Sequence, residues 1–393
     1  MVASMGIKVG FLINPIAGMG GAVGLKGTDG PLYLEALRRG ARPEAHLRAL
    51  RFLKRCLEIG LFNSKDVTFI VANGVMGCKY FIELGISEDS FKCLGIPKRD
   101  STTSDDTKAC VREFIKYGVD VIVFVGGDGT ARDIIEVTKG EVPLIGVPAG
   151  VKMYSACFAV SPESAADLLN LFIKNQASIN YVDIVDVDEY SIFASDRLRL
   201  RTYGKSLAIS HKYLVTSSKE LIRGDEVDKE GIAEYFIEEY FRHDVPYILG
   251  PGSTVKYIAD KLGVPKTLLG FDAVLGKRLI GKDLSEKDIL YIISNYGIPY
   301  VVLSVIGGQG FIIGRGNKQL TARVLRIIGK NRIIVVATKA KLLHHKYLLI
   351  ETGDIELDEK LSGYWRVITG YREETIVRVL PASKLHIYSC SIL

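Results

Sequence analysis

Residues 119–137 read VDVIVFVGGDGTARDIIEV: an almost unbroken apolar run, two glycines, an acid, and then helical periodicity. A run of that composition, interrupted only by Asp120, predicts a strand buried on both faces, as in a parallel sheet. Gly126 and Gly127 let the backbone turn sharply at the strand's end, and the following helix aims free N–H groups at any anion there. Asp128 is then placed either to take a proton from an attacking hydroxyl or to hold a magnesium ion on phosphate oxygens. The bland alternative, an Asp-Gly turn that only ends a strand, is weakened by the strand before it and the helix after it.

Outward from this stretch the same pattern repeats. Apolar runs at 7–13, 66–72 and 143–147 read as strands, and periodic segments at 32–57 and 74–80 read as helical. A further helix opens on capping residues at 104–107, carries Val111, Phe114 and Ile115 as its apolar stripe, and stops at Gly118. Strands alternating with helices specify a parallel α/β sheet, whose ligands bind at the strands' carboxyl ends. After Ser178 the texture changes to short alternating pieces at 179–184, 190–193, 198–203 and 207–209. These predict a boundary there, giving domains 1–178 and 179–393. The second domain is expected to be mixed and β-rich, with helices at 219–241 and 254–261. Its strands are expected at 247–249, 267–271, 300–304 and 332–337, with a terminal β-rich stretch at 364–388.

Composition narrows the function classes. Net charge is +6 without a basic run, which favours a small anionic ligand over nucleic acid. No window approaches eighteen uninterrupted apolar residues, so no membrane span is expected, and the first twelve residues do not read as a signal peptide. Cys56, Cys78, Cys93, Cys110, Cys157 and Cys390 never form C-x-x-C pairs, so reduced thiols in a cytoplasmic protein are expected, with neither a zinc site nor a disulfide framework. Glutamine stands only at 176, 309 and 319 among abundant charged residues, which points to a thermophilic source. Glycine is the outlier: 40 residues, gathered in clusters.

Those clusters supply the other candidates. Gly308, Gln309, Gly310, Arg315 and Asn317 follow an expected strand; Arg315 offers a bidentate fork for phosphate, and Gln309 and Asn317 can pair with a base or ribose. The alternative is a glycine-rich β-turn with a solvated arginine. Gly252, Ser253 and Thr254 either hold an anion or only cap the helix they precede. Lys26 is a phosphate partner, Asp29 a weaker metal ligand, and Lys152 a charge clamp. Asp133 is explained most cheaply by the helix N-terminus it sits in. His211, His243, His344, His345 and His386 show no metal spacing and read as structural or surface histidines. A Walker loop fails at residues 24–28, a dinucleotide fingerprint fails at 18–23, and no G-x-S-x-G elbow is present.

The strand-GGDGT-helix unit, preceded by Asn14, Pro15 and Gly18 in an Asn-Pro-x-x-Gly turn, resembles the superfamily of NAD kinases, diacylglycerol and sphingosine kinases and 6-phosphofructokinases. The likeness is closer to the ATP- or polyphosphate-dependent NAD kinases that include the acetoin-catabolism X proteins. It extends over nearly the whole chain through GAVGLKGTDG (21–30), GGDGTARD (126–133), GVPAGVKM (146–153), GPGST (250–254), IGGQGFIIGRGNKQ (306–319) and TGD (352–354). The resemblance implies a Rossmann-like α/β first domain, a β-rich mixed second domain, a site in the cleft between them and a homo-oligomer. It also implies phosphoryl transfer from ATP or polyphosphate, with Mg2+, to a nucleotide-like acceptor, NAD first among them. Asp128 would be the base, with phosphate held by Gly126, Gly127, Gly129 and Thr130 and dinucleotide met by the loop through Gly150 and Lys152. The Asn-Glu pair with which typical NAD kinases grip NAD has no recognisable counterpart here. A nucleotide-binding protein without this turnover and a kinase for a lipid or small alcohol are therefore the competing readings.

Overall fold

Alternate residues of the central strands face opposite ways, and both sets are apolar, so the first sheet needs helices on each side. A computed structural model describes residues 6–25, 31–64, 66–95, 102–150, 153–187, 200–211, 214–215, 225–306, 308–343 and 345–385. Two compact units emerge, one of residues 1–19, 27–217 and 383–393, the other of 20–26 and 218–382.

In the first unit, β1 (Ile7–Ile13), β2 (Val67–Val71), β3 (Phe91–Cys93), β4 (Val121–Gly126), β5 (Leu144–Pro148), β6 (Ser178–Val187) and β7 (Leu200–Ser210) form one sheet in the order β3-β2-β1-β4-β5-β7-β6. Every neighbouring pair is parallel except β6 with β7. Val9, Phe11, Val121 and Val123 pack with the helices Ala45–Glu58 and Pro162–Ile173. Leu12, Ile122 and Phe124 pack on the other face with Ser104–Tyr117 and Asp128–Thr138. Phe11, fully buried, stacks on Phe52 at 5.6 Å between ring centroids, the kind of core ring whose truncation costs about 3–5 kcal/mol.

Several expectations change in detail. The periodic segment 32–57 is two helices, Pro31–Arg38 and Ala45–Glu58, because Gly40 takes a left-handed φ of 83° and Pro43 follows it. Thr103, one residue before the expected cap, forms a capping box with Asp106, and Gly118 ends that helix at φ 63° as expected. Strands expected to open the second domain complete the first sheet instead: β6 and β7 form one long antiparallel ladder, and Leu144 of β5 pairs with Ala208. The first unit consequently extends to residue 217. Their alternation, read as a change of domain, reflects an edge strand that exposes Asn180, Tyr181 and Asp183. Residues 190–193 lie outside the described ones.

The expectation of reduced thiols is overturned at one pair: Cys78 and Cys93 are disulfide-bonded, with Cα atoms 6.0 Å apart. β3 pairs Cys93 with Val71, and the Cys78 N–H returns to Ala72 O at 2.9 Å, so both cysteines arrive at the end of β2. Tertiary pairing across 15 residues leaves no spacing mark in the sequence. Cys56, Cys110 and Cys157 are free and buried, and Cys390 lies outside the described residues.

The second unit is β-rich and mixed, with nine strands among the described residues: β8 (Pro246–Leu249), β9 (Asp272–Leu275), β10 (Arg278–Gly281), β11 (Tyr300–Ser304), β12 (Phe311–Ile313), β13 (Ile333–Val336), β14 (Leu348–Ile350), β15 (Gly363–Gly370) and β16 (Glu373–Pro381). Their order is β10-β9-β8-β11-β13-β15-β16-β14-β12, with β8, β11, β13 and β15 parallel neighbours at its centre. Ile248, Val301 and Val335 pack with the helices Glu286–Tyr296 and Ala322–Ile328. Tyr247, Leu249 and Val302 pack with Glu226–Tyr235 and Ser253–Leu262. The helix expected at 219–241 is described from Glu226, and Phe236–Tyr240 closes it as a π turn. The expected terminal β stretch ends with β16 at Pro381, and residues past 385 lie outside the described ones.

The strand expected at 267–271 is a loop wound around a buried ion pair. Lys266 Nζ lies 3.4 Å from Asp272 Oδ2, both side chains fully buried, and donates to the carbonyls of Thr267 and Gly270. The N–H and hydroxyl of Thr267 each reach the same carboxylate oxygen at 2.8 Å. Residues 20–25 join this unit, with Ala22 O accepting the Glu286 N–H at 3.0 Å. Among the described residues no helix is long and apolar enough to cross a membrane.

Candidate functional site

In the first sheet the chain moves from β1 to β2 on one side and from β4 to β5 on the other. Connections leaving in opposite directions open a crevice at the carboxyl ends of β1 and β4, the position where open α/β sheets take their ligands. Both strand ends carry expected site residues. Asn14 follows β1, its N–H donating to Val125 O at 2.9 Å, and its side-chain amide donates to Thr130 Oγ1 at 2.9 Å. Pro15 lies in the turn that follows, and Gly18 takes a φ of 80° within it.

The helix after β4 begins at Asp128 itself, two residues earlier than a helix placed after Thr130. Its first ladder bond is Ala131 N–H to Gly127 O at 3.1 Å, so the N–H groups of Asp128, Gly129 and Thr130 precede the ladder and point out of the helix end. Glycine at 126 is required: a Cβ there would sit 2.5 Å from Thr130 Oγ1. Gly126 O accepts the N–H groups of Ala149 and Gly150 at 3.0 and 3.2 Å, which brings the loop after β5 to the same place. A Cβ on Gly127 would approach Gly150 Cα at 3.3 Å. The structure therefore unites Asn14, Gly126, Gly127, Asp128, Gly129, Thr130 and Gly150. Lys26 and Lys152 lie outside the described residues.

Asp128 is 3% exposed, and its two carboxylate oxygens accept the backbone N–H groups of Tyr154 (2.7 Å) and Ser155 (3.0 Å). Burial pushes its carboxyl up from 3.8 to about 7 against the opposing pull of those donors, with the charge of Asp186 adding to the rise. A carboxylate held there is basic enough to receive a proton near neutrality and retains lone pairs beyond the two amide bonds. Asp186 is itself paired with Arg132 at 3.1 Å. The clamp by Tyr154 and Ser155 carries no sequence mark, since main-chain groups make it.

In the second unit, Gly252, Ser253 and Thr254 follow β8, and Gly308, Gln309 and Gly310 follow β11, the strand beside it. Gly250 must be glycine, because a Cβ would lie 2.8 Å from Val302 O. Gln309 is buried, its N–H donating to Ile306 O at 3.2 Å. Arg315, expected as an open fork, is buried with its guanidinium over the Phe311 ring at 5.0 Å. Asn317 is used by its own loop: Nδ2 donates to Ile312 O at 2.7 Å, and Oδ1 accepts the Gly314 N–H at 2.6 Å. Lys341 and Ser304, absent from the expected set, meet Thr254 here.

The family of the ATP-NAD kinase N-terminal domain matches residues 9–177, and that of the ATP-NAD kinase C-terminal domain matches residues 242–379. The chain belongs to the NAD kinase family. No curated protein and no solved structure matches it significantly. Family membership makes the chain a kinase-type phosphotransferase, and the GGDGT crevice of this NAD kinase-like protein has the parts such chemistry uses: backbone donors for phosphate and a carboxylate of raised affinity for a proton. Among the described residues no three His, Cys, Asp or Glu side chains form a metal-holding group.

Proposed function

We propose that this chain transfers the terminal phosphoryl group of ATP to the 2′-hydroxyl of NAD, producing NADP and ADP. The observation that supports this most is Asp128: buried at the carboxyl end of β4, clamped by two amides, and pushed up to about 7. The hydroxyl oxygen attacks phosphorus, its proton passes to the Asp128 carboxylate, and ADP leaves with the bridging electron pair. The N–H groups of Asp128, Gly129 and Thr130 stabilise the phosphate charge, and Asn14 holds the helix start against the β1 turn. Magnesium would neutralise phosphate charge, taking its ligands from nucleotide oxygens and leaving Asp128 to receive the proton. Asp128→Asn should remove turnover while nucleotide binding stays within about threefold. The decisive assay supplies ATP or inorganic polyphosphate, with Mg2+, against NAD, NADH, nucleosides and small alcohols; wild-type turnover by the Asn variant would defeat the assignment.

A second reading draws on the same clamp. Both Asp128 oxygens already serve the 154–155 backbone, so the acid also fits a nucleotide-binding protein that holds its cradle without turnover. Tight adenosine-type binding with no product from any acceptor would favour it.

A further inference from the structure

Asp128 is tied to β6 by a closed circuit of contacts. Its Oδ1 accepts the Ser155 N–H at 3.0 Å, and the Ser155 hydroxyl is locked onto β6, donating to Val185 O and accepting from the Val185 N–H, each at 3.1 Å. Ser155 is buried, and a hydroxyl that serves both backbone groups of one residue fixes that end of the strand against the carboxylate. The next residue of β6, Asp186, pairs with Arg132 at 3.1 Å. Arg132 stands one turn beyond Asp128 in the helix Asp128–Thr138, so the circuit closes on the element where it began.

Charge gives this circuit a chemical consequence. The Asp186 carboxylate, brought to the buried Asp128 by β6, favours the protonated form of Asp128 by like charge, and Arg132 opposes that effect by neutralising Asp186. Of the other groups around them, Tyr154 and Cys157 are buried and kept neutral by burial. Asp133, on the same helix, lies 4.0 Å from Arg132, and Lys108 of the helix Ser104–Tyr117 is engaged by Glu136 at 2.7 Å. On β7, Arg201 stands opposite Asp186 in the ladder and lays its guanidinium over the Tyr203 ring at 5.2 Å, a ring that Arg132 also covers at 5.3 Å.

We infer that Arg132 and Asp186 are positioning residues for Asp128: β6 sets an ion pair beside the buried carboxyl, Asp186 strengthening its hold on a proton and Arg132 limiting that hold. This deepens the reading of Asp128 as a base, on which only the kinetic arm of the test rests. The first arm titrates the carboxyl NMR signal of Asp128 in the isotopically labelled full chain, assigned by its absence from Asp128→Asn. Asp186→Asn should move the Asp128 midpoint down and Arg132→Gln should move it up, each by about one pH unit. Both side chains are half-buried, and the charge-keeping variants Asp186→Glu and Arg132→Lys should move it less than half as far. No movement in either neutral variant, or movement of both in one direction, overturns the inference. It also falls if Arg132→Lys moves the midpoint as far as Arg132→Gln, because packing rather than charge would then be the cause. In the second arm, the acid limb of kcat/KM with ATP and NAD should follow the carboxyl, to lower pH in Asp186→Asn and to higher pH in Arg132→Gln. Opposite carboxyl shifts in a chain without turnover, or with a rate profile that ignores them, would defeat Asp128 as the base and leave this inference standing.

Discussion

The side-chain amide of Asn14 donates to Thr130 Oγ1 at 2.9 Å, fastening the turn after β1 to the first turn of the helix that starts at Asp128. The two residues are 116 apart in the chain and follow the two strands, β1 and β4, that flank the first crevice. Asn14 Oδ1 also accepts the Ile16 N–H at 3.3 Å, so one side chain shapes its own turn and anchors its neighbour.

Asn14→Ala should cost about 1–2 kcal/mol of stability, the usual scale for a lost hydrogen bond with a partner left behind. Its effect on kcat/KM should be larger, tenfold or more, because a displaced helix start misaligns phosphate donors. Urea denaturation and steady-state kinetics on the same preparation separate the two; loss of stability with unchanged kinetics would confine Asn14 to a structural tie.

Asp128 makes stability and activity depend on pH in opposite senses. Burial raises its carboxyl from 3.8 to about 7, so the folded chain keeps a proton that the unfolded chain has released. Its contribution to stability is full below about pH 4 and is lost as pH rises to about 7, on the order of 4 kcal/mol in all. Turnover needs the ionised form and should climb through the same range, levelling above pH 7. Asp128→Asn should abolish that part of the stability slope, so denaturation of both proteins at pH 5 and pH 8 decides; identical slopes would count against a raised carboxyl.

The Cys78–Cys93 bond closes a 15-residue separation, worth about 3 kcal/mol on the chain-entropy account. Cys93→Ser should lower the unfolding midpoint accordingly and release one additional thiol to titration under denaturing conditions without reductant. Full reactivity of every cysteine in unreduced wild type would disprove the bond.

Lys266 and Asp272 form a fully buried pair, and burial lowers the lysine to about 8 against the pull of Asp272. Lys266→Met alone should cost about 3–5 kcal/mol by stranding a carboxylate, and the double change with Asp272→Leu should recover much of it. Thermal unfolding of the single and double variants reads this coupling directly.

Much of the first unit was legible because its signals are local. Val121–Gly126 is apolar enough to be a central strand in any context, and Gly118 can end a helix by its own backbone freedom. What escaped depends on partners distant in the chain. Three residues of β3 become a strand only beside β2, and the alternation of β6 belongs to a sheet edge rather than to a new domain. At the site, Asp128 could be read from its glycines, whereas the amides of Tyr154 and Ser155 could not, because every residue carries one. Asn317 shows the converse: a side chain suited to a ribose is consumed by the Gly314 N–H and the Ile312 carbonyl. Lys341 carries no local mark either: the short helix Lys339–Leu343 after β13 places it beside Thr254 and Ser304.

The placement of residues 20–25 with the second unit bears on the order in which the chain can fold. Ala22 waits for the Glu286 amide, a partner made more than 260 residues later during synthesis, while β1 just before it is already needed to organise the first sheet. Closing such a loop late is an entropic burden that local strand pairing does not face. A fragment starting at residue 218 would lack the acceptor for Glu286, and one ending at 217 would leave 20–25 without a seat. The two units are thus completed together, and a cut at their apparent boundary should give two halves that fold poorly alone and better when mixed.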